Sequence, residues 1–488
     1  MQLANHVIHK DRLARLILLL AGIVYAALSL VNHYMLRTYA LDLGIYNNAV
    51  YDYAHFRFND YPIVRHLFPN ALADHFSLIP VFVSPLIWVF GTYTLLLVQI
   101  AAILFGGWGV YRYFTLKYPD SFMPLFALTH YLSMWGIFSA LSFDYHDNVI
   151  GTAFVPWFLL SFEKNDRLKS GVFFTLLLVT KENMALWAIF IGLGLALHYR
   201  SDNNRRSHAL WLSLASALYF LLIVNVVMKS LGYPDRGYFH FKYAALGSTP
   251  IEAIKNVFLH PFDVLRLFFV NHSQEPFFDG IKQELYTLVF FSGGFALVYY
   301  PHYLFMLLPI VAQKVLSDDV SKWGINYQYS IEFAPILTLA AFSLLTKVNA
   351  SRIRLILACG VLILGFYVHL HAYKVRKSVW FKPADYVVYS PLHWHSPYDL
   401  KYIHEVLKTI PEAAAVSASS PLVPHLAFRQ KIYQYPDTAD ASYIVLINQE
   451  EPYPLKKPEF DAQVRMLKES PMWLLSINRE DLIIFKKK

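Results

Sequence analysis

The stretch Leu13–Val31, LARLILLLAGIVYAALSLV, decides the class of fold. Its length is close to the roughly 20 apolar residues that a helix needs to cross a bilayer. Lys10, Arg12 and Arg15 lie at its start, and no small-residue cleavage site follows it. The stretch therefore predicts a retained membrane helix rather than a signal peptide. Its basic flank predicts that the N-terminus lies in the cytoplasm.

The composition of the whole chain agrees with this first helix. Of its 488 residues, 56 % are hydrophobic and only 16 % are charged, whereas a soluble chain averages about 25 % charged residues. Such a composition excludes a disordered chain, a coiled coil and a nucleic-acid-binding domain, and it argues against a soluble enzyme. The one cysteine, Cys359, lies in an apolar run. It can form neither an internal disulfide nor a zinc site of the usual spacing.

Ten further apolar runs follow the first one. They lie near residues 93–114, 122–141, 149–162, 170–179, 184–199, 210–228, 285–299, 303–316, 331–345 and 355–370. The sequence therefore predicts a polytopic α-helical membrane protein with about 11 transmembrane helices. Two other apolar stretches are not counted as spans: Leu78–Phe90 is predicted as a juxtamembrane or re-entrant helix, and Ile251–Val270 as a helix that lies in the membrane interface. Leu78–Phe90 is short and contains two prolines, and Ile251–Val270 is interrupted by charged residues.

Basic residues test the order of these spans. With the N-terminus inside, four clusters of lysine and arginine fall in loops on the cytoplasmic side, as the positive-inside rule requires. The clusters are Arg112 with Lys117, Lys164 with Arg167 and Lys169, Arg200 with Arg205 and Arg206, and Lys347 with Arg352 and Arg354. Much of the net charge of +8 is then explained by orientation. The pattern predicts a multi-pass protein of the cytoplasmic (inner) membrane whose long loops lie on the outer face.

The composition changes after Tyr373, where prolines and short alternating segments replace the long apolar runs. We therefore predict two domains, a transmembrane domain at 1–372 and a small extracytoplasmic α/β domain at 373–488. The predicted elements of the second domain are strands at 413–417 and 443–447, helices at 399–410 and 460–468, and a hairpin around Asn478–Asp481. It contains no glycine-rich phosphate loop, so a lid or scaffold over the membrane domain is its expected role.

Motifs of several common enzyme classes are missing from the sequence. It contains no Walker motif, no G-x-S-x-G elbow and no H-E-x-x-H. An ATPase, a serine hydrolase and a zincin are therefore unsupported. Ionisable residues beside apolar spans are better candidates, because such groups are costly near the bilayer and are usually functional.

Asp42 is the candidate catalytic residue. It follows the first span in Leu41–Asn47 and stands among apolar neighbours. A carboxylate in that setting suits the abstraction of a proton from a substrate hydroxyl or amine. The structural alternative is a helix cap or a solvated loop carboxylate.

Two groups of residues are candidate metal ligands. Asp144, His146 and Asp147 lie within four residues, between two predicted spans, and could converge on a divalent cation or a phosphate-bound cation. Mixed oxygen and nitrogen ligands do not select one metal. Asp74 and His75 form a weaker pair, since Asp74 could equally cap the helix that follows. A solvated loop with a helix N-cap is the alternative for the stronger group.

Five residues are candidate substrate contacts. Lys181 and Glu182 are adjacent between two spans, and the lysine could bind a lipid phosphate as a point charge or extend toward the interface. Arg236, on a long loop, adds a second phosphate contact. Tyr327 and Tyr329 could line a sugar site or belong to the interfacial aromatic belt.

Five motifs, taken in order, resemble a family of predicted prokaryotic polytopic membrane proteins that carries only a domain-of-unknown-function label. The motifs are Leu41–Tyr46, Asp74–Ser77, Ser142–His146, Thr180–Asn183 and Tyr327–Tyr329, with Val416–Ser419, Pro424–Leu426 and Arg429 in the tail. That family is similar to the GT-C superfamily of membrane glycosyltransferases. The resemblance implies a GT-C-like fold and a polyprenyl-phosphate-linked sugar donor. It also implies an acidic catalytic base in the first outer loop at Asp42 and a second acidic motif at Asp144 and Asp147. Lys181 resembles a lysine that many members carry in a short outer loop. The enzymes more often carry paired acids where this sequence has Leu-Asp-Leu-Gly.

The sequence thus predicts an inverting glycosyltransferase at the outer membrane face. Its partners would be membrane lipid, a polyprenyl-phosphate sugar donor and an unidentified acceptor, with no nucleic acid, and a divalent cation is the one candidate cofactor. A transporter or lipid-sugar flippase is an alternative, but it needs polar groups near the bilayer midplane, where Gln99 and Asn225 are the few candidates. A second alternative is a non-catalytic scaffold that binds an envelope component. This alternative requires that all five motifs face bulk water.

Overall fold

The computed structural model describes residues 2–232, 238–376 and 387–488, with side chains from His9 onward. This part of the chain is mainly helical and ends in a small sheet. It forms two compact units. Unit 1 comprises the described residues of Met1–Tyr25, Gln99–Val227 and Asp235–Tyr386, and unit 2 comprises those of Ala26–Val98, Met228–Pro234 and Val387–Lys488.

The elements follow one another along the chain as helices, then as a mixed α/β tail. Up to residue 232 the helices are α1 (Gln2–Tyr34), α2 (Ile45–Ala54), α3 (Ala71–Asp74), α4 (Ile79–Val83), α5 (Ile87–Phe90), α6 (Thr94–Lys117), α7 (Met123–Leu132), α8 (Trp135–Leu141), α9 (Asp147–Glu163), α10 (Arg167–Thr180), α11 (Met184–His198), α12 (Asn203–Leu222) and α13 (Met228–Leu231). Beyond it are α14 (Pro250–Leu259), α15 (Pro261–Leu267), α16 (Ile281–Phe291), α17 (Pro301–Val315), α18 (Phe333–Leu345), α19 (Ser351–Val375), α20 (Leu400–Leu407), α21 (Val423–Leu426) and α22 (Lys457–Glu469). The strands are β1 (Val416–Ala418), β2 (Ile432–Gln434), β3 (Tyr443–Ile447), β4 (Trp473–Asn478) and β5 (Leu482–Lys487).

Four helical segments among the described residues are long and apolar enough to cross a membrane. They are His9–Tyr34, Ile79–Lys117, Asn203–Leu231 and Ser351–Val375. Helices α11 and α18 are apolar but shorter. The prediction of a helical membrane protein is therefore supported, whereas the count of about 11 spans stays a prediction. Leu78–Phe90 contains the short helices α4 and α5, separated by a 3₁₀ turn with Pro85, and most of it belongs to the candidate segment Ile79–Lys117. Its placement as a juxtamembrane or re-entrant helix stays a prediction.

Helix α18 lies at the centre of unit 1. Every side chain from Phe333 to Phe342 is buried, and the helix packs against α7, α8, α9, α17 and α19. Helix α8 comes close to the segment before α18 at Gly136, where an added Cβ would overlap the carbonyl group of Ser330. The missing side chain therefore allows this close approach.

Helices α14 and α15 have the exposed apolar surface that the sequence predicts for Ile251–Val270. Ile251, Phe258 and Phe262 are each exposed, whereas Ala253 is the buried residue of α14. Apolar side chains that face outward beside charged ones are typical of helices that lie in a membrane interface.

The sheet of unit 2 has the strand order β2-β1-β3-β5-β4. Strand β1 pairs in parallel with β2 and β3, and β5 pairs antiparallel with β3 and β4. The predicted strand at 443–447 and the hairpin around Asn478–Asp481 are confirmed. The strand predicted at 413–417 begins instead at Val416, and β2 was missed because three residues are too few to show a period.

One apolar core joins this sheet to residues from the first long loop. Val445 and Ile484 from the sheet belong to the same buried cluster as Leu36, Tyr61 and Ile63. Helix α22 covers other sheet residues in a second small cluster. The tail of the chain therefore folds together with the segment that carries Asp42. The predicted boundary between residues 372 and 373 stays a prediction.

Candidate functional site

Asp42 lies in a π-helical turn, Ala40–Gly44, directly before α2. Such turns are rare and occur frequently at functional sites. The turn packs against α21, and the Ala40 N–H donates to Ser420 Oγ at 3.2 Å. The Asp42 side chain is half-buried. The carboxylate is thus carried by a local distortion that the C-terminal tail supports.

Two neighbouring asparagines connect the Asp42 motif to the tail. Asn47 Nδ2 donates to the Pro424 carbonyl at 3.2 Å. Asn48 Nδ2 donates to the carbonyls of Ala427 and Arg429 at 3.0 and 2.8 Å. Both amides are buried, so each lost bond would leave a polar group unpaired. The tail motif from Pro424 to Arg429 therefore positions the first-loop motif.

The carboxylates of Asp74 and Asp42 both affect the pKa of one buried phenol, that of Tyr61. Tyr61 Oη donates to Asp74 Oδ2 at 2.6 Å. Burial raises the pKa of Tyr61 well above its ordinary value, and the negative charges of Asp74 and Asp42 raise it further. Asp74 ends α3, and the N-cap of α4 is Leu78. The alternative that Asp74 caps the following helix is therefore wrong.

A cavity in unit 2 lies beside this pair of carboxylates. It contains about 300 Å³ of empty space, part of it open to solvent. Its lining residues are Ile45, Tyr46, Ala49, Tyr53, Tyr61, Ala71, Leu72, His75, Ser77 and Pro80. Tyr61 thus links the cavity wall to Asp74, and His75 lies in the same wall.

The loop before α9 is buried and held by Gln99 of unit 1. Gln99 Oε1 accepts from the His146 N–H at 2.9 Å, and its Nε2 donates to the Asp144 carbonyl at 3.3 Å. Tyr145 Oη donates to Asp147 Oδ1 at 2.7 Å. Gln99, considered above as a transport residue, is therefore a support of this loop. In the described part of the chain, the ligand atoms of Asp144, His146 and Asp147 do not converge to metal-binding distance.

Asn148 joins this loop to the segment before α18. Its Nδ2 donates to Glu332 Oε1 at 2.8 Å and to the Gln328 carbonyl at 3.2 Å. The ring of Phe143 contacts that of Tyr327 edge-on, with centroids 4.5 Å apart. Two motifs that lie about 180 residues apart are therefore brought together in unit 1.

Several lysines gather around the same segment. Burial lowers the pKa of Lys322, and the positive charges of Lys181 and Lys242 lower it further, against the opposing effect of Asp319. Lys322 lies over the ring of Tyr329, 5.3 Å from its centroid. These ammonium groups are close enough to repel one another, which an anionic ligand would relieve.

Two more charged residues complete this group. Lys314 is fully buried and donates to Ser330 Oγ at 2.9 Å. Glu332 is buried, and its Oε1 accepts from Asn148 Nδ2 at 2.8 Å. Glu182 accepts from Tyr238 Oη at 2.9 Å. The predicted contact Arg236 lies outside the described residues.

Sequence reasoning missed Lys314, Lys322 and Tyr61. Lys314 had a signal, because it is an ionisable residue inside the predicted apolar run 303–316, and such residues are usually functional. Lys322 and Tyr61 lie in polar loop sequence that offers no comparable signal.

Comparison with known proteins agrees with the sequence resemblance. Residues 32–464 match the model of a family described as "Predicted membrane protein (DUF2079)". No curated protein matches this sequence. Among solved structures, ArnT from Cupriavidus metallidurans bound to undecaprenyl phosphate matches with a TM-score of 0.52 at 10 % identity, over 98 % of this chain and 97 % of that chain.

An oligosaccharyltransferase from Archaeoglobus fulgidus, tethered with an acceptor peptide that contains the NVT sequon, also matches. Its TM-score is 0.46 at 13 % identity, over 90 % of this chain and 69 % of that chain. At such low identity the similarity to ArnT shows a shared fold.

Proposed function

The chain belongs to the DUF2079 family of predicted membrane proteins, and from that premise we propose that it is an inverting glycosyltransferase. It takes a sugar from a polyprenyl-phosphate donor at the outer face of the cytoplasmic membrane. The observation that carries this proposal is the fold that it shares, over nearly its whole length, with an ArnT bound to undecaprenyl phosphate. A fold alone does not establish chemistry, so the residues must supply the rest.

Asp42 is the proposed general base. Its carboxylate removes the proton from the acceptor hydroxyl, and the oxygen then attacks the anomeric carbon of the donor. The new C–O bond forms as the bond from that carbon to the phosphate oxygen breaks, so the configuration inverts. Polyprenyl phosphate leaves with the electron pair, and Asp42 later releases its proton to water. General bases of this kind contribute about 10²- to 10⁴-fold to the rate.

The lysines of unit 1 are the proposed phosphate contacts. Lys181, Lys314 and Lys322 are brought near one segment, and their charges would stabilise the negative charge that develops on the leaving phosphate. Arg236 stays a proposed contact. Glu182, Tyr327 and Tyr329 are proposed to position the donor beside these lysines.

A divalent cation at Asp144, His146 and Asp147 stays a prediction. The present geometry does not fit it, because Asp147 accepts from Tyr145 and the three residues do not bring their ligand atoms together. We assign no step to a metal. We likewise propose, from the charge pattern, a cytoplasmic N-terminus and an extracytoplasmic sheet.

Donor turnover by the purified full-length protein tests this function. The protein would be reconstituted in lipid nanodiscs and supplied with a panel of radiolabelled polyprenyl-phosphate sugars and acceptors. Asp42→Asn should lower kcat by about 10²-fold or more with little change in the donor KM. Asp60→Asn, which changes an exposed carboxylate in the same segment, is the matched control and should keep wild-type kcat. Full turnover by Asp42→Asn would remove the proposed base.

A further inference from the structure

The loop before α14 carries Lys242, a lysine to which the proposed function gives no role. Its side chain is exposed, and its ammonium lies over the ring of Phe239, 5.4 Å from the centroid. An exposed lysine on a mobile loop would need no explanation. The backbone around Lys242, however, is bonded to other segments of unit 1, so the position of this lysine is set by the fold.

Asp318 holds the backbone at Lys242. The N–H of Ala244 donates to both oxygens of the Asp318 carboxylate, at 2.9 and 2.8 Å. The N–H of Asp318 donates in turn to the Lys242 carbonyl at 2.9 Å. A hydrogen bond to a charged carboxylate is stronger than one to a neutral acceptor. Asp318 therefore fixes a segment that lies 74 positions before it in the sequence.

Three further hydrogen bonds hold the rest of residues 238–247. They run from Tyr238 Oη to Glu182 Oε1 at 2.9 Å, from Tyr243 Oη to the Gln313 carbonyl at 3.3 Å, and from Asn256 Nδ2 to the Leu246 carbonyl at 2.7 Å. Ordering a backbone costs about 1–2 kcal/mol per residue. Bonds at both ends and in the middle offset that cost, so this part of the loop is a built element of unit 1.

The same contacts bring Lys242 close to the lysines already proposed as phosphate contacts. Asp319, the residue after Asp318, has its carboxylate 4.0 Å from the Lys322 ammonium. Burial lowers the pKa of Lys322 most, and the charges of Lys181 and Lys242 lower it further, whereas Asp319 raises it. Like charges that a fold holds together repel one another unless an opposite charge is bound among them.

The nearby carboxylates do not pair with Lys181 or Lys242. Asp318 accepts from Ala244, Asp319 accepts from Ser321 N–H and Oγ at 3.1 and 2.6 Å, and Glu182 accepts from Tyr238. Within the described part of the chain, neither Lys181 nor Lys242 forms an ion pair. Two ammonium groups beside Lys322 are therefore available to an anion from outside the chain.

We propose that Lys242 is a further contact to the phosphate of the polyprenyl ligand and that Asp318 is the residue that positions it. The inference rests on the proposed function for the identity of the lipid, but binding of an anion at Lys242 does not depend on catalysis. A terminal phosphate carries three strong acceptor oxygens that point in different directions. Lysines on three separate segments can each contact one of them as a point charge.

Binding of undecaprenyl phosphate to the full-length protein in phosphatidylcholine nanodiscs tests Lys242 without any turnover. The disc lipid has no net charge and does not compete for the lysines. Lys242→Gln should weaken binding about 3- to 10-fold, the value of one hydrogen bond, and Lys242→Arg should bind almost as the wild type does. Lys255→Gln changes an exposed lysine of α14 and should have no effect. Equal affinity of Lys242→Gln and the wild type would overturn the proposal.

A double variant separates the positioning role of Asp318 from a purely structural one. Asp318→Ala should weaken binding by no more than Lys242→Gln does, and it should add nothing in the Lys242→Gln background, because both changes act through the same ammonium. Asp318→Asn keeps one acceptor for the Ala244 N–H and should retain most of the affinity. If Asp318→Ala weakens binding equally with and without Lys242, Asp318 does not position this lysine.

Two comparisons identify the ligand and separate this site from the proposed reaction. Inorganic phosphate lacks the apolar chain, so it should compete only weakly with undecaprenyl phosphate. If inorganic phosphate binds through Lys242 and undecaprenyl phosphate does not, the lipid assignment is overturned. If undecaprenyl phosphate binds through Lys242 but no donor is consumed in the turnover assay, the function fails and the site stands. If donors are consumed and Lys242→Gln changes neither binding nor the donor KM, the function stands and the role of Lys242 is overturned.

Discussion

The imidazole ring of His425 stacks on that of His33, with ring centroids 4.1 Å apart and planes 11° apart. The ring of His404 contacts His425 edge-on at 5.1 Å. His425 is buried, and its Nε2 has no hydrogen-bond partner within the described residues. Burial lowers the pKa of His425 well below its ordinary value, and the charges of His33 and His404 lower it further. Unit 2 therefore contains histidines that must be neutral to pack together.

This stack predicts that unit 2 loses stability in acid. The folded protein keeps His425 unprotonated, whereas the unfolded chain binds a proton near pH 6.5. The stabilisation is therefore complete above about pH 6.5 and falls by up to about 1.4 kcal/mol per pH unit below it. Thermal unfolding measured from pH 7.5 to pH 5 should show the decline. His425→Phe keeps an aromatic ring without a titrating group and should make the thermal stability less dependent on pH.

The control is His66→Phe, which changes an exposed histidine and should leave the pH dependence of the stability as it is. An unchanged pH dependence in His425→Phe would contradict the assignment to His425.

The lowered pKa of Lys322 predicts that the affinity for a phosphate ligand falls at high pH. The pKa of its free ammonium is lowered, so the charge is lost below the pH at which an ordinary lysine loses it. Affinity for undecaprenyl phosphate, measured by tryptophan fluorescence, should fall as the pH rises through that pKa. Lys322→Arg should keep its affinity to higher pH, because a guanidinium stays charged. Lys322→Gln should bind about 10-fold more weakly or worse below that pKa, as loss of a charged hydrogen bond implies, and its affinity should not change as the pH rises through it.

The matched control for Lys322 is Lys255, which is exposed on α14. Neither Lys255→Arg nor Lys255→Gln should change the affinity or its pH limit. If the affinity of the wild type and that of Lys322→Arg fall at the same pH, Lys322 does not bind the phosphate.

Tyr61 connects the cavity to Asp74 and predicts a specific kinetic effect. Tyr61→Phe removes the hydroxyl that donates to Asp74 and leaves the ring that lines the cavity. We expect kcat for sugar transfer to fall about 10-fold, the cost of one charge-assisted hydrogen bond, with a smaller change in the acceptor KM. Tyr53→Phe changes another phenol of the same wall and serves as the comparison. Equal loss in both variants would assign the effect to the cavity as a whole.

The parts of this fold that sequence could predict are those set by local pattern. The first apolar run forms α1, and alternation on both sides of Asn478–Asp481 forms the hairpin, because length and period act on adjacent residues. The order of the motifs also identified the family, since residues 32–464 match it.

The convergence of distant side chains could not be predicted in the same way. Asn48 bonds to the carbonyl of Arg429, 381 positions away, and no period or spacing in the sequence connects the two. Lys314 was passed over because the surrounding run is apolar enough to predict a span even with a lysine in it. The predicted residues Asp42 and Lys181 stay proposals for the same reason, since their roles depend on contacts rather than on pattern.

A substitution at Gly136 tests whether the position of the segment before α18, which contains Ser330, matters for phosphate binding. A Cβ at this position would overlap the carbonyl of Ser330, and the Ser330 hydroxyl accepts from Lys314. Gly136→Ala should therefore move the segment before α18, destabilise the protein by about 1–3 kcal/mol and weaken undecaprenyl phosphate binding. Gly171 in α10 has nothing within 4 Å of an added Cβ, so Gly171→Ala should be neutral or stabilise the helix by about 0.5–1 kcal/mol. If Gly136→Ala lowers the melting temperature but leaves the affinity for undecaprenyl phosphate intact, the position of Ser330 does not matter for binding, and Lys314 is then a structural lysine rather than a phosphate contact.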